Sequence, residues 1–216
     1  MGLEAGRIYE PHDTLSIKGE RYTVVRYSPS LLHHVARRGA QIINPKDAAY
    51  MISRSGISQG AKVLESGIGS GILTAHILWA IGRGGILHSV DRDRSAVETA
   101  TRNLERFVDL SNWTASVGDI AEYRPHFSFD AAFLDLPEPW KASDTISGCV
   151  RNGGVLVTYL PTFDQVEKTM LEYTSSGFDH EESCEITLRT LIVRKNATRP
   201  DNAAIGHTAF ISFYRR

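Results

Sequence analysis

Residues 65–71 read Glu-Ser-Gly-Ile-Gly-Ser-Gly. Glycines at alternate positions let a chain turn tightly and bring its backbone against a ligand with no Cβ in the way. The segment follows a short apolar run, Lys62-Val63-Leu64-Glu65, and leads into an apolar stretch beginning at Ile72. A glycine-rich turn after a strand is generic, because nicotinamide and flavin proteins carry similar ones. Two details narrow its chemistry. Gly67, Gly69 and Gly71 are spaced Gly-x-Gly-x-Gly, which suits a helix-seated pyrophosphate less well than Gly-x-Gly-x-x-Gly. Glu65 stands two positions before the first glycine, where it would repel a pyrophosphate but help orient the cations of a sulfonium amino acid. Further on come Asp91, Asp119 followed by Ile120, and Asp135 inside Asp-Leu-Pro-Glu-Pro-Trp. Asp91 lies where an open α/β sheet offers a carboxylate to two ribose hydroxyls. Asp119 would face an adenine amino group, with Ile120 against the ring. A single acid at a strand end is more often a helix cap than a ligand group. Four acids in step with a glycine loop point instead to an adenosyl cofactor, S-adenosylmethionine.

The elements that must position these acids alternate between buried strands and helices. Strands are expected at Lys62–Glu65, Gly85–Asp91, Trp113–Val117, Asp130–Asp135 and Gly154–Tyr159. Helices are expected at Ile72–Ile81, Arg94–Asp109, Lys141–Cys149 and Gln165–Ser175, and an earlier one is expected to start at Pro45. This alternation predicts an α/β fold, a parallel sheet with helices on both faces. Each of the four acids then falls at the carboxyl end of a successive strand, the edge where such sheets bind ligands. The tail predicts two more strands, Glu185–Arg194 and His207–Tyr214, as an antiparallel C-terminal edge. Before residue 41 the chain breaks into short pieces, with a hairpin expected from Thr14–Ile17 and Arg21–Val25. The expected division is a small N-terminal β-rich region, residues 1–40, and a cofactor-binding domain, residues 41–216.

Bulk composition excludes other classes. The 216 residues suffice for one α/β domain with an appendage. No apolar run reaches the length of a bilayer span, and Met1 to Glu10 has no apolar signal core, so a cytoplasmic protein is expected. Cys149 and Cys184 lie far apart without metal-ligand spacing; they read as reduced core thiols, and no metal site is expected. The formal net charge is −1, without the basic excess that marks many nucleic-acid binders. Local basic clusters occur at Arg37-Arg38, Arg83, Arg102 with Arg106, Arg189 to Lys195, and Arg215-Arg216.

From Gln41 onward, about four-fifths of the chain resembles the tRNA adenine-N1 methyltransferase family of the TrmI/Trm61 type. The resemblance is carried by Gln41-Ile42-Ile43-Asn44-Pro45-Lys46-Asp47, by Glu65 to Gly71, and by Phe133-Leu134-Asp135-Leu136-Pro137-Glu138-Pro139-Trp140. Tyr159-Leu160-Pro161-Thr162 with Gln165-Val166, and Arg199-Pro200 followed by Gly206-His207-Thr208-Ala209-Phe210, continue it in the same order. It implies a Rossmann-like class I methyltransferase sheet, methylation of adenine N1 in the T-loop of tRNA, and a homotetramer. It also implies a cofactor site made by Ile43, Glu65, Gly67, Gly69, Ser70, Gly71, Ile72, Asp91, Asp119, Ile120 and Asp135, with catalysis centred on Asp135. The chain departs from the family at Asn44, where Tyr is common, and at Asp91, where Glu is frequent. Its N-terminal region is also shorter than the family's small β-barrel.

Neutral adenine keeps a lone pair on N1, so the enzyme's task is to align it with the methyl donor. A carboxylate at Asp135 would stabilise the cationic product through the N6 amino group. Three other readings stand beside this one. A small-molecule methyltransferase of the tetrapyrrole type suits the near-neutral charge but not the Asp135–Trp140 loop. A non-catalytic tRNA-binding subunit has no use for an intact glycine loop and four acids. A nicotinamide dehydrogenase is disfavoured by the glycine spacing and Glu65.

Overall fold

The computed structural model describes residues 9–36, 42–202 and 206–216. Gln41 and the Arg37-Arg38 cluster lie outside the described residues. The chain opens with a hairpin, β1 (Thr14–Ile17) and β2 (Glu20–Thr23), paired antiparallel through Ile17↔Glu20. Its two-residue turn is Lys18-Gly19, both with positive φ (51° and 85°), the conformation that matches the twist of a tight hairpin. A helix that the sequence pattern did not predict follows, α1 (Pro29–Val35). It is the piece that fastens this region to the rest: its Leu32 is fully buried against Ile72, Ala75 and Leu104.

Helix α2 (Pro45–Ser55) starts at the expected proline, and the Asn44 side chain caps it by accepting from Lys46 N at 3.1 Å. Asn44 therefore has a local structural role at a position where the chain departs from the family it resembles. Next come β3 (Lys62–Ser66), α3 (Ile72–Ile81), β4 (Ile86–Asp91), α4 (Arg94–Leu104) and β5 (Trp113–Val117). Helix α4 ends five residues before the expected Asp109. A 3-10 turn at Ile120–Glu122 leads to β6 (Phe129–Leu134), and another at Pro139–Ala142 precedes α5 (Ser143–Cys149). Strand β7 (Val150–Leu160) and α6 (Phe163–Ser175) complete the alternation.

The tail differs from expectation. The strand that enters the sheet is β8 (Asp179–Cys184), not Glu185–Arg194. Of the expected segment, Leu191–Ile192 forms a two-residue strand, β9, which pairs with β10 (Arg199–Pro200) outside the main sheet. The physical reason is placement. Asp-His-Glu-Glu-Ser-Cys sits at a sheet edge, where charged residues are suited to a strand with one open side and give no apolar alternation to read. The last strand, β11 (Phe210–Arg215), lies close to its expected place.

The seven strands of the main sheet run in the order β5-β4-β3-β6-β7-β11-β8. The first five are parallel, and β11 is antiparallel to both β7 and β8. Consecutive residues feed opposite faces. Val63, Leu87, Phe133, Val157 and Phe213 pack on one side with Met51 of α2 and Ile77 of α3. Leu64, Val90, Leu134, Leu156 and Tyr214 pack on the other with Ile146 of α5 and Tyr173 of α6. This two-residue period is what burying both faces of a sheet requires. Strand order reverses between β3 and β6, so a crevice opens past their carboxyl ends. No helix of the described residues is long and apolar enough to cross a membrane.

Candidate functional site

A cavity of about 490 Å³ occupies that crevice, within the usual range for cofactor sites. The structure brings Ile43, Gly67, Gly69, Asp91, Asp119, Ile120 and Asp135 to its wall. The other predicted residues stand behind it. Ser70 is held by its carbonyl, which accepts from Asn103 Nδ2 at 2.9 Å. Gly71 is packed so close to α4 that a Cβ would meet Ala100 at 3.1 Å. Ile72 joins the apolar cluster with Leu32 of α1. Glu65 is fully buried and is not brought to the cavity wall. Its carboxylate accepts from Thr74 Oγ1 (2.9 and 3.0 Å) and Ser89 Oγ (2.6 Å), and Trp113 Nε1 donates to that serine at 2.8 Å. Burial pushes its pKa up to about 7. In this position Glu65 ties the end of β3 to α3 and β4.

Gly67 has φ +89°, and a Cβ there would come within 2.1 Å of the Asp135 carbonyl oxygen. The Asp135 amide donates to Ser66 O at 2.9 Å, so the glycine loop and the Asp135 loop cross at closest approach. No other residue fits. Asp91 Oδ2 accepts from Ile68 N (2.8 Å) and more distantly from Gly69 N (3.4 Å), while Oδ1 accepts from Asp93 N (2.9 Å). Asp91 thus staples the loop and keeps acceptor capacity on Oδ1, since each carboxylate oxygen offers about two lone-pair sites. Asp119 caps the turn at Ile120–Glu122 through Ala121 N and is bridged by the Arg92 guanidinium at 2.6 Å. Both contacts hold its pKa down.

The cavity wall carries five acids, Asp91, Asp93, Asp119, Asp135 and Glu138, and two bases, Arg92 and Lys141. Both bases are already paired, Arg92 with Asp119 and Lys141 with Glu138. Asp93 is occupied in capping α4. Asp135 is different. Among the described residues its carboxylate accepts no hydrogen bond, and burial, with Asp91's charge, pushes its pKa up to about 7. A chamber of this kind attracts a cation and repels phosphate.

The sequence pattern assigns no role to a further group at the same cavity. Asp47, fully buried, accepts from Lys46 Nζ (2.6 Å), Tyr159 Oη (3.0 Å) and Thr208 Oγ1 (2.7 Å). Lys46 Nζ also donates to Thr208 Oγ1 at 2.8 Å. Tyr159 and Thr208 line the cavity, and burial beside Asp47 keeps the phenol protonated. The signal lay in the Pro-Lys-Asp and His-Thr pieces, which the fold joins across more than 160 residues. Trp140 is not on the cavity wall; Lys168 Nζ lies 4.2 Å above its ring. His207 bonds Glu185 and the Pro161 carbonyl, a structural post at the start of the last strand.

A family model described as tRNA methyltransferase complex GCD14 subunit matches residues 22–210. The chain is 32% identical over 217 residues to the tRNA (adenine(58)-N(1))-methyltransferase TrmI of Thermus thermophilus, covering 99% of this chain and 83% of that protein. It is 29% identical over 234 residues to the tRNA (adenine(57)-N(1)/adenine(58)-N(1))-methyltransferase TrmI of Methanocaldococcus jannaschii, covering 96% and 83%. The crystal structure of tRNA (m1A58) methyltransferase TrmI from Aquifex aeolicus superposes with a TM-score of 0.82 at 27% identity, covering 95% of this chain and 90% of that one.

Proposed function

The chain belongs to the tRNA methyltransferase complex GCD14 subunit family, and from that premise we propose that it methylates N1 of an adenine in the T-loop of tRNA, with S-adenosylmethionine as donor. The observation that carries this reading is Asp135, a half-buried carboxylate without a hydrogen-bond partner among the described residues, in a cavity whose two bases are both neutralised. S-adenosylmethionine, when bound, supplies an electrophilic methyl group on a cationic sulfur. The residues present fit such a group. Asp91 Oδ1 has capacity for a ribose hydroxyl, Asp119 and Ile120 offer an acid and an apolar wall to an adenine, and Ile43 lines the same cavity. The open space over Gly69, where a Cβ would meet nothing within 4 Å, admits a ligand against the backbone.

Asp135 would accept a hydrogen bond from the N6 amino group of the target adenine, a contact that strengthens as the base becomes cationic. Pro137 and Pro139 stiffen the loop that holds it. Tyr159, fixed through Asp47 by Lys46 and Thr208, presents a neutral ring as the facing wall and helps keep N1 in line. The T-loop adenine must leave its internal pairing to reach this chamber. RNA phosphates, repelled by the acids within, stay at the rim.

We propose a homotetramer as the working form in the cytoplasm. Leu188, Leu191 and Val193, exposed on the segment around β9, support it: they give apolar surface that a second copy can bury. Converging basic clusters of neighbouring subunits would supply phosphate contacts that a chain of net charge −1 otherwise lacks. Nucleoside mass spectrometry of tRNA incubated with protein and donor tests the reading; 1-methyladenosine at a T-loop position is expected, and its absence refutes it.

A further inference from the structure

Phe163, the first residue of α6, is 75% exposed. The core does not account for it, but its ring is not loose. It stacks on Phe210, with centroids 4.4 Å apart and planes 27° from parallel. Phe210 opens β11 opposite Leu160, the last residue of β7. The chain on either side, Pro161 and Thr208-Ala209, lines the cavity, so the stack stands at the cavity's rim.

The support of this pair is rigid. Thr162 caps α6, and Gln165 Nε2 donates to the Pro137 carbonyl at 2.9 Å, which binds the first turn of α6 to the Asp135 loop. His207 packs against Phe210 at 4.8 Å. Its two ring nitrogens face two acceptors, the Glu185 carboxylate and the Pro161 carbonyl. Both can be satisfied together only by the doubly protonated ring. That edge of the stack is therefore an ion pair, His207 with Glu185, and Lys168 over Trp140 lies a little further along the same helix.

Resting on the tRNA-methylating reading, we propose that the Phe163–Phe210 stack is a platform for an unpaired base of the substrate tRNA, next to the adenine that enters the cavity. Flipping one base out of a folded loop leaves its neighbours without their stacking partner. A flat ring with a second ring behind it replaces that partner for any base, because every base has a π-face. The Lys168 ammonium, held over Trp140 further along α6, favours the adjoining sugar–phosphate chain. A second copy of the protein fits this place less well, since it would cover the mouth through which the substrate enters.

The test compares wild type with Phe163→Ala, Phe163→Leu and Phe163→Tyr in steady-state methylation of tRNA. It adds the fluorescence of a 2-aminopurine placed beside the target adenine. Phe163→Ala should raise KM for tRNA about tenfold or more, lower turnover at saturating tRNA by less, and leave cofactor affinity unchanged. Phe163→Tyr should restore KM, Phe163→Leu should not, and binding should quench the 2-aminopurine in wild type and not in the alanine variant. Unchanged KM in Phe163→Ala, or full rescue by leucine, overturns the platform while leaving the methyltransferase reading intact. A loss of oligomer mass in Phe163→Ala by light scattering overturns it in favour of an interface between copies. If wild type makes no methylated adenine in tRNA, the functional reading falls and the platform with it.

Discussion

The edge of the sheet where β3, β4, β5 and β6 end and the segment between β8 and β11 are built on opposite terms. At the sheet edge all but one of the acids serve a neighbour, Asp135 being the exception. Asp91 holds the glycine loop, Glu65 ties β3 to α3 and β4, and Asp119 and Asp93 cap the turns behind them. In the later segment a two-residue pairing, Leu191 with Pro200 and Ile192 with Arg199, stands away from the main sheet. An isolated two-stranded ribbon is marginal in water. The contrast lies in what each region satisfies: the acids at the sheet edge are mostly tied down within one subunit, whereas the exposed apolar side chains near β9 find no core among the described residues.

The strongest way to break that comparison is at Asp135, the one acid on the cavity wall with no hydrogen-bond partner among the described residues. Asp135→Ala should cost roughly a hundredfold or more in turnover, with little change in cofactor affinity by calorimetry. A variant that binds cofactor normally and methylates at near wild-type rate would remove Asp135 from the mechanism.

The same carboxylate predicts a pH limb. Its pKa stands at about 7 in the absence of ligand, and the proposed role needs the ionised form. The value of kcat/KM should therefore rise as pH increases through about 7 and fall roughly tenfold per unit well below it. The limb in kcat should lie lower, because a bound cation favours the carboxylate. In Asp135→Asn the limb should vanish; a limb that persists there belongs to another group.

The parts of this molecule that were legible in the sequence are those where a local pattern and a tertiary need coincide. The glycine loop is one: alternate glycines are visible as letters, and Gly67 needs its positive φ because Asp135 passes against it. The strands Lys62–Glu65 and Asp130–Asp135 are another, since burial on both faces demands continuous apolar residues. Glu65 was legible as important but not in its placement, because nothing in its neighbours shows that Thr74 and Ser89 turn it into the interior. The Lys46–Asp47–Tyr159–Thr208 cluster was invisible as a unit, being assembled from three distant segments. Strand β8 was hidden because an edge position lets it be almost wholly polar. Helix α1 was hidden because only two of its residues, Pro29 and Leu32, are buried, too few to show a helical period.

A smaller effect is expected at Asp91. It is already the acceptor for two loop amides and one of its own turn, so Asp91→Ala removes both the staple and the proposed ribose contact. Cofactor binding should weaken by about 1–3 kcal/mol, read by calorimetry, together with a lowered melting temperature of the ligand-free protein. Weakened binding with unchanged melting would mean that the loop amides find water as good a partner.

The smallest effect on the single chain is expected near β9, and there the comparison is sharpest. Leu188, Leu191 and Val193 are 54%, 59% and 77% exposed. Replacing exposed residues of this kind usually changes monomer stability by no more than about 0.5 kcal/mol, because no core packing is lost. If these side chains are instead the buried centre of an interface between copies, replacing Leu191 and Val193 together by Ser places hydroxyls where apolar contact held the subunits together. Light scattering should then report a smaller assembly, while dilute protein unfolds in denaturant at nearly the same midpoint and still binds the cofactor. Affinity for tRNA should fall with it, since phosphate contacts contributed by a neighbouring subunit are lost, and its salt dependence should become shallower as fewer counterions are released. An unchanged mass would show that this apolar surface is not what joins the copies; an unchanged mass with weakened tRNA binding would assign the segment directly to the RNA.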